Sequence, residues 1–127
     1  MTDGVCGGAQ MNPKDALGRY GEDLAVGFLE RSGLVIIERN WRCELGELDI
    51  IAREHADLVV CEVKTRRSIR YGTPLEAVSP RKIRRMRRLA IRWLEERTIH
   101  AEIIRFDVVG ILAPTVGQPI IEHVRGA

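Results

Sequence analysis

Three residues carry chemistry that an apolar strand does not need: Asp49 in "GELDIIAR", and Glu62 and Lys64 in "DLVVCEVK". Side chains alternate between the two faces of a strand, so Glu47 shares a face with Asp49, and Glu62 shares one with Lys64. Only "EHAD" separates the two segments, which marks an antiparallel hairpin. If Arg53 opposes Leu58 across that turn, Asp49 faces Glu62 and Glu47 faces Lys64, all four on one side of the sheet. Directly opposed residues hold their Cβ atoms about 4.5–5.5 Å apart, and like charges there repel. Two carboxylates in a half-buried site need help to stay ionised: one takes up a proton, or a cation joins them. A hard cation between carboxylates is the usual setting of magnesium. A lysine on the same side can orient an attacking water or offset charge on a pentavalent phosphorane. The chemistry indicated is phosphodiester hydrolysis assisted by a divalent ion. A plain Glu47–Lys64 salt bridge, with Asp49 facing water, is the alternative use of these residues. A one-residue slip of register would separate them altogether.

Such groups need rigid elements to hold them. Asn12-Pro13 reads as an N-cap and first helical residue, with Asp15 in the first turn. Apolar residues then recur with helical spacing from Ala16 to Leu29, and Gly33 supplies a stop, giving a helix over 13–32. "LVIIERNW", "GELDIIAR" and "DLVVCEVK" read as three strands. "SIRYGTPLEAVS" is a loop with two turn signals, and Ser79-Pro80 opens a second helix over 80–97. "AEIIRFDVVGIL" is a fourth strand and "PIIEHV" a weaker fifth. The third strand, second helix and fourth strand form a crossover unit, which makes those two strands parallel. The near-continuous apolar run of the third strand places it at the centre, covered on both faces. The fold expected is α/β, with an αβββαβ core: a mixed central sheet flanked by helices. A disordered tail over 1–12 and a single domain over 13–124 complete the organisation.

The 127 residues are 45% hydrophobic and 30% charged, the composition of a globular protein with a real core. No apolar run approaches the roughly 18–20 residues that cross a bilayer, and the first dozen residues are too polar for a signal peptide. Cys6, Cys43 and Cys61 form no C-x-x-C pair, and His55, His100 and His123 show no zinc spacing. A reducing cytoplasm is the expected compartment, with no membrane partner.

The net charge of +2 conceals an asymmetry, since residues 63–97 hold twelve Lys/Arg against three acids, a balance of +9, and the remainder carries −7. Arg66, Arg67 and Arg70 follow Lys64 in the loop. Along the second helix Ile83, Met86, Ala90, Trp93 and Leu94 form an apolar stripe, while Arg81, Arg84, Arg85, Arg88 and Arg92 lie on another face and Lys82 on its margin. A surface made for solubility mixes signs, whereas Arg81 to Arg92 contains no acid. Arg66, Arg67, Arg70, Arg81, Lys82, Arg84, Arg85 and Arg88 are therefore the expected contacts to nucleic-acid phosphates. Aromatics are scarce, with Tyr71 alone in the basic loop. Duplex or branched DNA read by backbone and shape fits better than a stacking platform for single strands.

The residues also match a known pattern. Asp49 followed by Glu62-Val63-Lys64 resembles the D-(x)n-E-x-K signature of the PD-(D/E)xK nuclease superfamily. "GRYGEDLAVGFLERSGL", "NWRCELGELDIIA", "VVCEVKTRRSIRYGTPLEAVSPRKIRRMRRLA" and "RFDVVGI" together resemble the YraN family of predicted bacterial endonucleases. That family is similar to Holliday-junction resolvases and has a restriction-endonuclease-like core. The resemblance implies magnesium or manganese held by Asp49, Glu62 and the backbone carbonyl of Val63, with Lys64 as catalytic lysine. It implies a first-helix glutamate near the metal at Glu22, although the periodicity equally allows a solvated boundary glutamate there. Leu48 stands where the superfamily pattern has proline. By analogy with resolvases it implies a homodimer. The expected function is a divalent-metal-dependent DNA endonuclease acting on branched or structured DNA. The alternative is a catalytically idle nucleic-acid-binding accessory module with the same fold.

Overall fold

A computed structural model describes residues 12–70 and 72–127. Residues 1–11 of the expected tail and Tyr71 lie outside the described residues. Helix α1 spans Pro13–Arg31, and the Asn12 side chain accepts the Asp15 N–H at 2.9 Å to cap it. It stops where the sequence says it should. Gly33, at φ 101°, lets its own N–H reach the Glu30 carbonyl and that of Leu34 reach Leu29, both at 3.0 Å. Strands β1 (Val35–Cys43), β2 (Gly46–Glu54) and β3 (Asp57–Arg66) follow. After a 3-10 turn at Pro74–Ala77 come helix α2 (Pro80–Arg97), β4 (Ile104–Leu112) and β5 (Ile120–Val124).

The five strands form one sheet in the order β1-β2-β3-β4-β5, so β3 is central. β1 pairs with β2, β2 with β3, and β4 with β5, all antiparallel, while β3 and β4 are parallel. This is the mixed α/β sheet expected from the crossover and the hairpin, and it is consistent with a restriction-endonuclease-like core. α1 covers one face, burying Ala25 and Leu29 against Ile50, Val59, Cys61 and Val109. α2 covers the other, burying Met86, Leu89, Ala90 and Trp93 against Ile51, Leu58, Val60 and Phe106. β3 feeds both layers because alternate residues go to alternate sides. Trp93 is core, 1% exposed, with its indole N–H donating to Glu38 at 2.9 Å. No helix among the described residues is long and apolar enough to cross a membrane.

α1 lies unusually close to β3 at one point. A Cβ on Gly21 would come within 2.8 Å of the Thr65 Cβ. The missing side chain lets the helix backbone descend onto the strand, and Glu22 is the next residue along. Asp107, fully buried on β4, lies opposite Cys61 in the parallel ladder. Its carboxylate takes Arg105 at 2.9 Å through both oxygens, His123 Nε2 at 2.7 Å and the Gly126 N–H at 3.0 Å.

Candidate metal centre and phosphate-binding cleft

Pairing between β2 and β3 runs from Glu54↔Asp57 to Ile50↔Cys61 and includes Arg53↔Leu58, the register read from the hairpin. Asp49 and Glu62 are the next residues along, at the point where the two strands part. Face alternation also skips there. Leu48 and Ile51, three residues apart, both pack in the α2-side cluster, while Ile50 packs on the α1 side. Beside Asp49 on β1, Asn40 adopts a left-handed φ of 54°, a conformation Asn tolerates better than most residues. Asp49 therefore points neither up nor down but into the split. Its Oδ2 accepts the Val63 N–H at 2.9 Å, the donor that a continued ladder would have paired with backbone.

This geometry also places the Val63 carbonyl. The even-numbered residues of β3 bond toward β4, as Leu58 N–H to Ile103 O and Ala113 N–H to Arg66 O, at 3.0 and 2.8 Å, demonstrate. N–H and C=O of one strand residue point the same way. Because Val63 N–H faces Asp49, its carbonyl faces the split too.

Glu62 is 6% exposed, and its Oε2 lies 2.6 Å from Lys82 Nζ and 3.5 Å from Lys64 Nζ. Glu47 does not face Lys64 as the extrapolated register expected. β2 stays with β1 beyond Asp49, pairing Arg42 with Glu47, and the Glu47 carboxylate accepts Arg42 Nε at 3.1 Å. Glu22 reaches the site from α1. Its Oε1 accepts Arg39 at 3.0 Å and Asn40 Nδ2 at 2.8 Å. Gly110, beside Lys64 in the parallel ladder, makes room for the 3-10 turn, with Pro74 3.0 Å from where a Cβ would stand.

Burial pushes the Asp49 carboxyl up to about 7, and the charge of Glu62 adds to that. The Val63 N–H offsets part of the shift, while Glu47 and Glu22 raise it further. Lys64 moves the opposite way. Burial, then the neighbouring Lys82, lower its pKa against the pull of Glu62. Burial is the largest single influence on Lys82 and lowers its pKa, but the contacts with Glu62 and Lys64 and the charges of Glu62 and Asp49 together outweigh it and raise the pKa. A carboxyl raised by burial and a second carboxylate, with an ammonium lowered by burial beside it, form a pattern typical of reactive sites.

Asp49, Val63, Lys64, Glu22, Glu47 and Asn40 line a cleft of about 760 Å³, whereas Glu62 and Lys82 do not line it. Its other walls carry Lys14, Arg19, Arg42, Arg66 and Arg67. Lys14, Arg19 and Arg66 form no ion pair among the described residues. Arg67 donates to the Ala113 carbonyl at 3.3 Å. The rest of the expected phosphate contacts lie elsewhere. Arg81, Arg84, Arg85 and Arg88 are exposed on α2, and Arg70 is exposed on the loop. None of these five lines the cleft. Lys82 is turned inward to Glu62. An apolar groove of about 510 Å³ between α2 and β4, lined by Leu75, Ile83 and Val108 among others, has Arg84 and Arg87 on its wall but none of Glu22, Asp49, Glu62, Lys64 or Lys82.

The residues present fit a hard cation in kind: two carboxylates and a backbone carbonyl, all oxygen donors. Asp49 Oδ1 and Glu62 Oε1 make no hydrogen bond among the described residues. Side chains alone do not complete a shell, since no three His, Cys, Asp or Glu side chains converge among the described residues. Oxygens of Val63, water or substrate would complete it.

Sequence reasoning missed Lys14, Arg19, Arg39 and Asn40. Lys14, Gly18 and Glu22 recur every four residues, so a stripe shared with Glu22 was readable. Asn40 was readable as a residue that strands disfavour.

A family model described as "Uncharacterised protein family UPF0102" matches residues 21–111, a span that includes Glu22, Asp49, Glu62, Lys64 and Lys82. A protein of Nocardioides sp. named "UPF0102 protein" is 55% identical over 113 residues, 89% of this chain and 91% of its own length. A Beutenbergia cavernae relative of the same name is 52% identical over 116 residues, 91% of this chain and 98% of its own. One from Streptomyces coelicolor is 49% identical over 131 residues, 99% of this chain and 98% of its own.

Proposed function

The chain belongs to the UPF0102 family, also called YraN, and from that premise we propose that it is a divalent-metal-dependent endonuclease hydrolysing phosphodiester bonds of DNA. The observation that carries the reading is the half-buried Asp49 carboxyl, which accepts the Val63 N–H at 2.9 Å where β2 and β3 part and is pushed up to about 7 by desolvation and then by Glu62. Asp49, Glu62 and the Val63 carbonyl would hold magnesium or manganese, which when bound supplies Lewis acidity toward water and phosphoryl oxygens.

The chain's own groups do the rest. Lys64, with its lowered pKa, stands beside Glu62 where it can orient the attacking water or offset charge gathering on the phosphoryl group. Glu22, fixed by Arg39 and Asn40, adds negative potential that favours a cation over a protonated Asp49. Lys14, Arg19 and Arg66, which form no ion pair among the described residues, offer cations along the cleft for flanking phosphates. The cleft is too rich in charge and too poor in aromatic rings to read bases by stacking. Duplex or branched DNA held by its backbone is the substrate class this favours. The exposed arginines of α2 extend that basic surface away from the reacting centre.

One observation favours a second reading, an idle nucleic-acid-binding module. Glu62 already has an ammonium at 2.6 Å, so its charge is balanced without a metal. The two readings part in a cleavage assay on four-way junction, flap, duplex and single-stranded DNA, with manganese or with chelator. The nuclease reading expects manganese-dependent products that vanish in Asp49→Asn and fall steeply in Lys64→Ala. Binding without cleavage across the panel supports the idle module instead. Products that survive either substitution point to a contaminant.

A further inference from the structure

Lys82 stands where a helix least wants an ammonium. It is the third residue of α2, and the Ser79 hydroxyl caps its N–H at 3.2 Å. Free backbone N–H groups make this end of a helix positive, and the position normally favours Glu or Gln. The first turn of α2 has no acid at all. The compensation comes from the strand beneath α2, where Lys82 Nζ meets Glu62 Oε2 at 2.6 Å. Lys64 Nζ is 3.5 Å from the same oxygen. Two ammonium groups thus converge on one carboxylate oxygen, and the nearer one belongs to a helix rather than to the strand that carries the site.

We propose that Lys82 is a counter-ion built into the site, which holds Glu62 while no divalent cation is bound and leaves it when one binds. This rests on reading Asp49 and Glu62 as cation ligands. An ammonium and a divalent ion on the same carboxylate repel one another strongly in a partly buried place. In this proposal cation binding breaks the Lys82–Glu62 pair instead of sharing the carboxylate through its second oxygen, and its apparent affinity is lowered by that amount. Once released, the ammonium lies at the N-terminus of α2, where it can take a phosphate oxygen of bound DNA. Cation and DNA then favour each other's binding, and the coupling is reciprocal.

Calorimetric titration of manganese into the full chain at pH 8 tests this on the parent, Lys82→Met and Asp49→Asn. The expected result is that Lys82→Met binds manganese about tenfold more tightly, which corresponds to about 1.4 kcal/mol, and that Asp49→Asn does not bind it. Adding uncleavable phosphorothioate duplex should tighten manganese binding in the parent by a larger factor than in Lys82→Met. Lys82→Gln serves as a second neutral variant if the methionine form does not fold, and Lys82→Arg should behave as the parent. Unchanged or weaker manganese binding in the neutral variants, with Asp49→Asn still abolishing it, overturns the counter-ion role and leaves the nuclease reading standing. No manganese binding by the parent or by either neutral variant overturns both.

Discussion

Asp49 Oδ2 accepts the backbone N–H of Val63 at 2.9 Å, across the point where β2 and β3 cease to pair. One side chain thereby does two things. It satisfies a donor that the splayed strand would leave bare, and it fixes a second carboxylate near Glu62 in a place where the Asp49 charge is costly to keep.

That cost has a pH signature. The folded Asp49 carboxyl titrates at about 7, whereas an unfolded Asp titrates near about 4. Between those values the folded protein keeps a proton that the unfolded chain has lost. This group's contribution to stability is therefore full below about pH 4, falls as pH rises through the window, and is flat above about 7. Asp49→Asn removes the titration. In chelator at pH 8 it should exceed the parent in stability by about 1–4 kcal/mol, and the gap should close as pH is lowered to about 5. Urea unfolding at several pH values measures it, and a gap independent of pH contradicts the assignment.

Gly21 sets how closely α1 approaches the sheet. Gly21→Ala puts a methyl carbon into Thr65, whose Cβ is 2.8 Å away, so helix or strand must move. The expected cost is about 1–3 kcal/mol. Thr65→Gly in the same chain should recover much of it. If Gly21→Ala alone is as stable as the parent, the close approach is wrong.

Asp107 is fully buried with Arg105, His123 and the Gly126 N–H around it. Burial alone would raise its pKa, but Arg105, Gly126 N–H and His123 outweigh that and lower it. Its stabilisation is present above the unfolded value of about 4 and fades only in stronger acid. At neutral pH Asp107→Asn should cost about 1–3 kcal/mol by removing the carboxylate that Arg105, His123 and the Gly126 N–H share, although Arg105 keeps Glu54 at 2.6 Å; the loss is seen as a lower urea midpoint.

The cleft cations make a binding prediction separate from catalysis. Removing the charges of Lys14, Arg19 and Arg66 should weaken DNA binding on all sequences. It should flatten the plot of log affinity against log salt by about 0.9 for each phosphate that is no longer neutralised. Fluorescence anisotropy at several salt concentrations reads both. An unchanged slope would place the DNA elsewhere, with the exposed arginines of α2 as the next surface to test.

Much of this was legible in the chain. Asn12 and Ser79 announced the helix starts, Gly33 the stop, and the four-residue turn at "EHAD" fixed the β2–β3 register, because each signal is local. That register runs as far as Ile50↔Cys61, one step short of Asp49 and Glu62. The release of Glu47 to Arg42 did not follow from it, since that depends on β2 choosing β1 over β3 once the strands part. Nor did the inward turn of Lys82. A long side chain on the margin of a helix can swing either way, and only the placement of α2 over β3 decides it. The skip in alternation at Asp49 needs Asn40 on another strand, so no window along β2 alone reveals it.

Both tryptophans, Trp41 and Trp93, lie in the cluster beneath α2, whereas the layer beneath α1 has none. Intrinsic indole emission is consequently a one-sided witness to denaturation. Ellipticity at far-ultraviolet wavelengths counts both helices. If the two traces coincide on heating, the layers melt as a single unit joined through β3; if they separate, the α1 side loosens on its own.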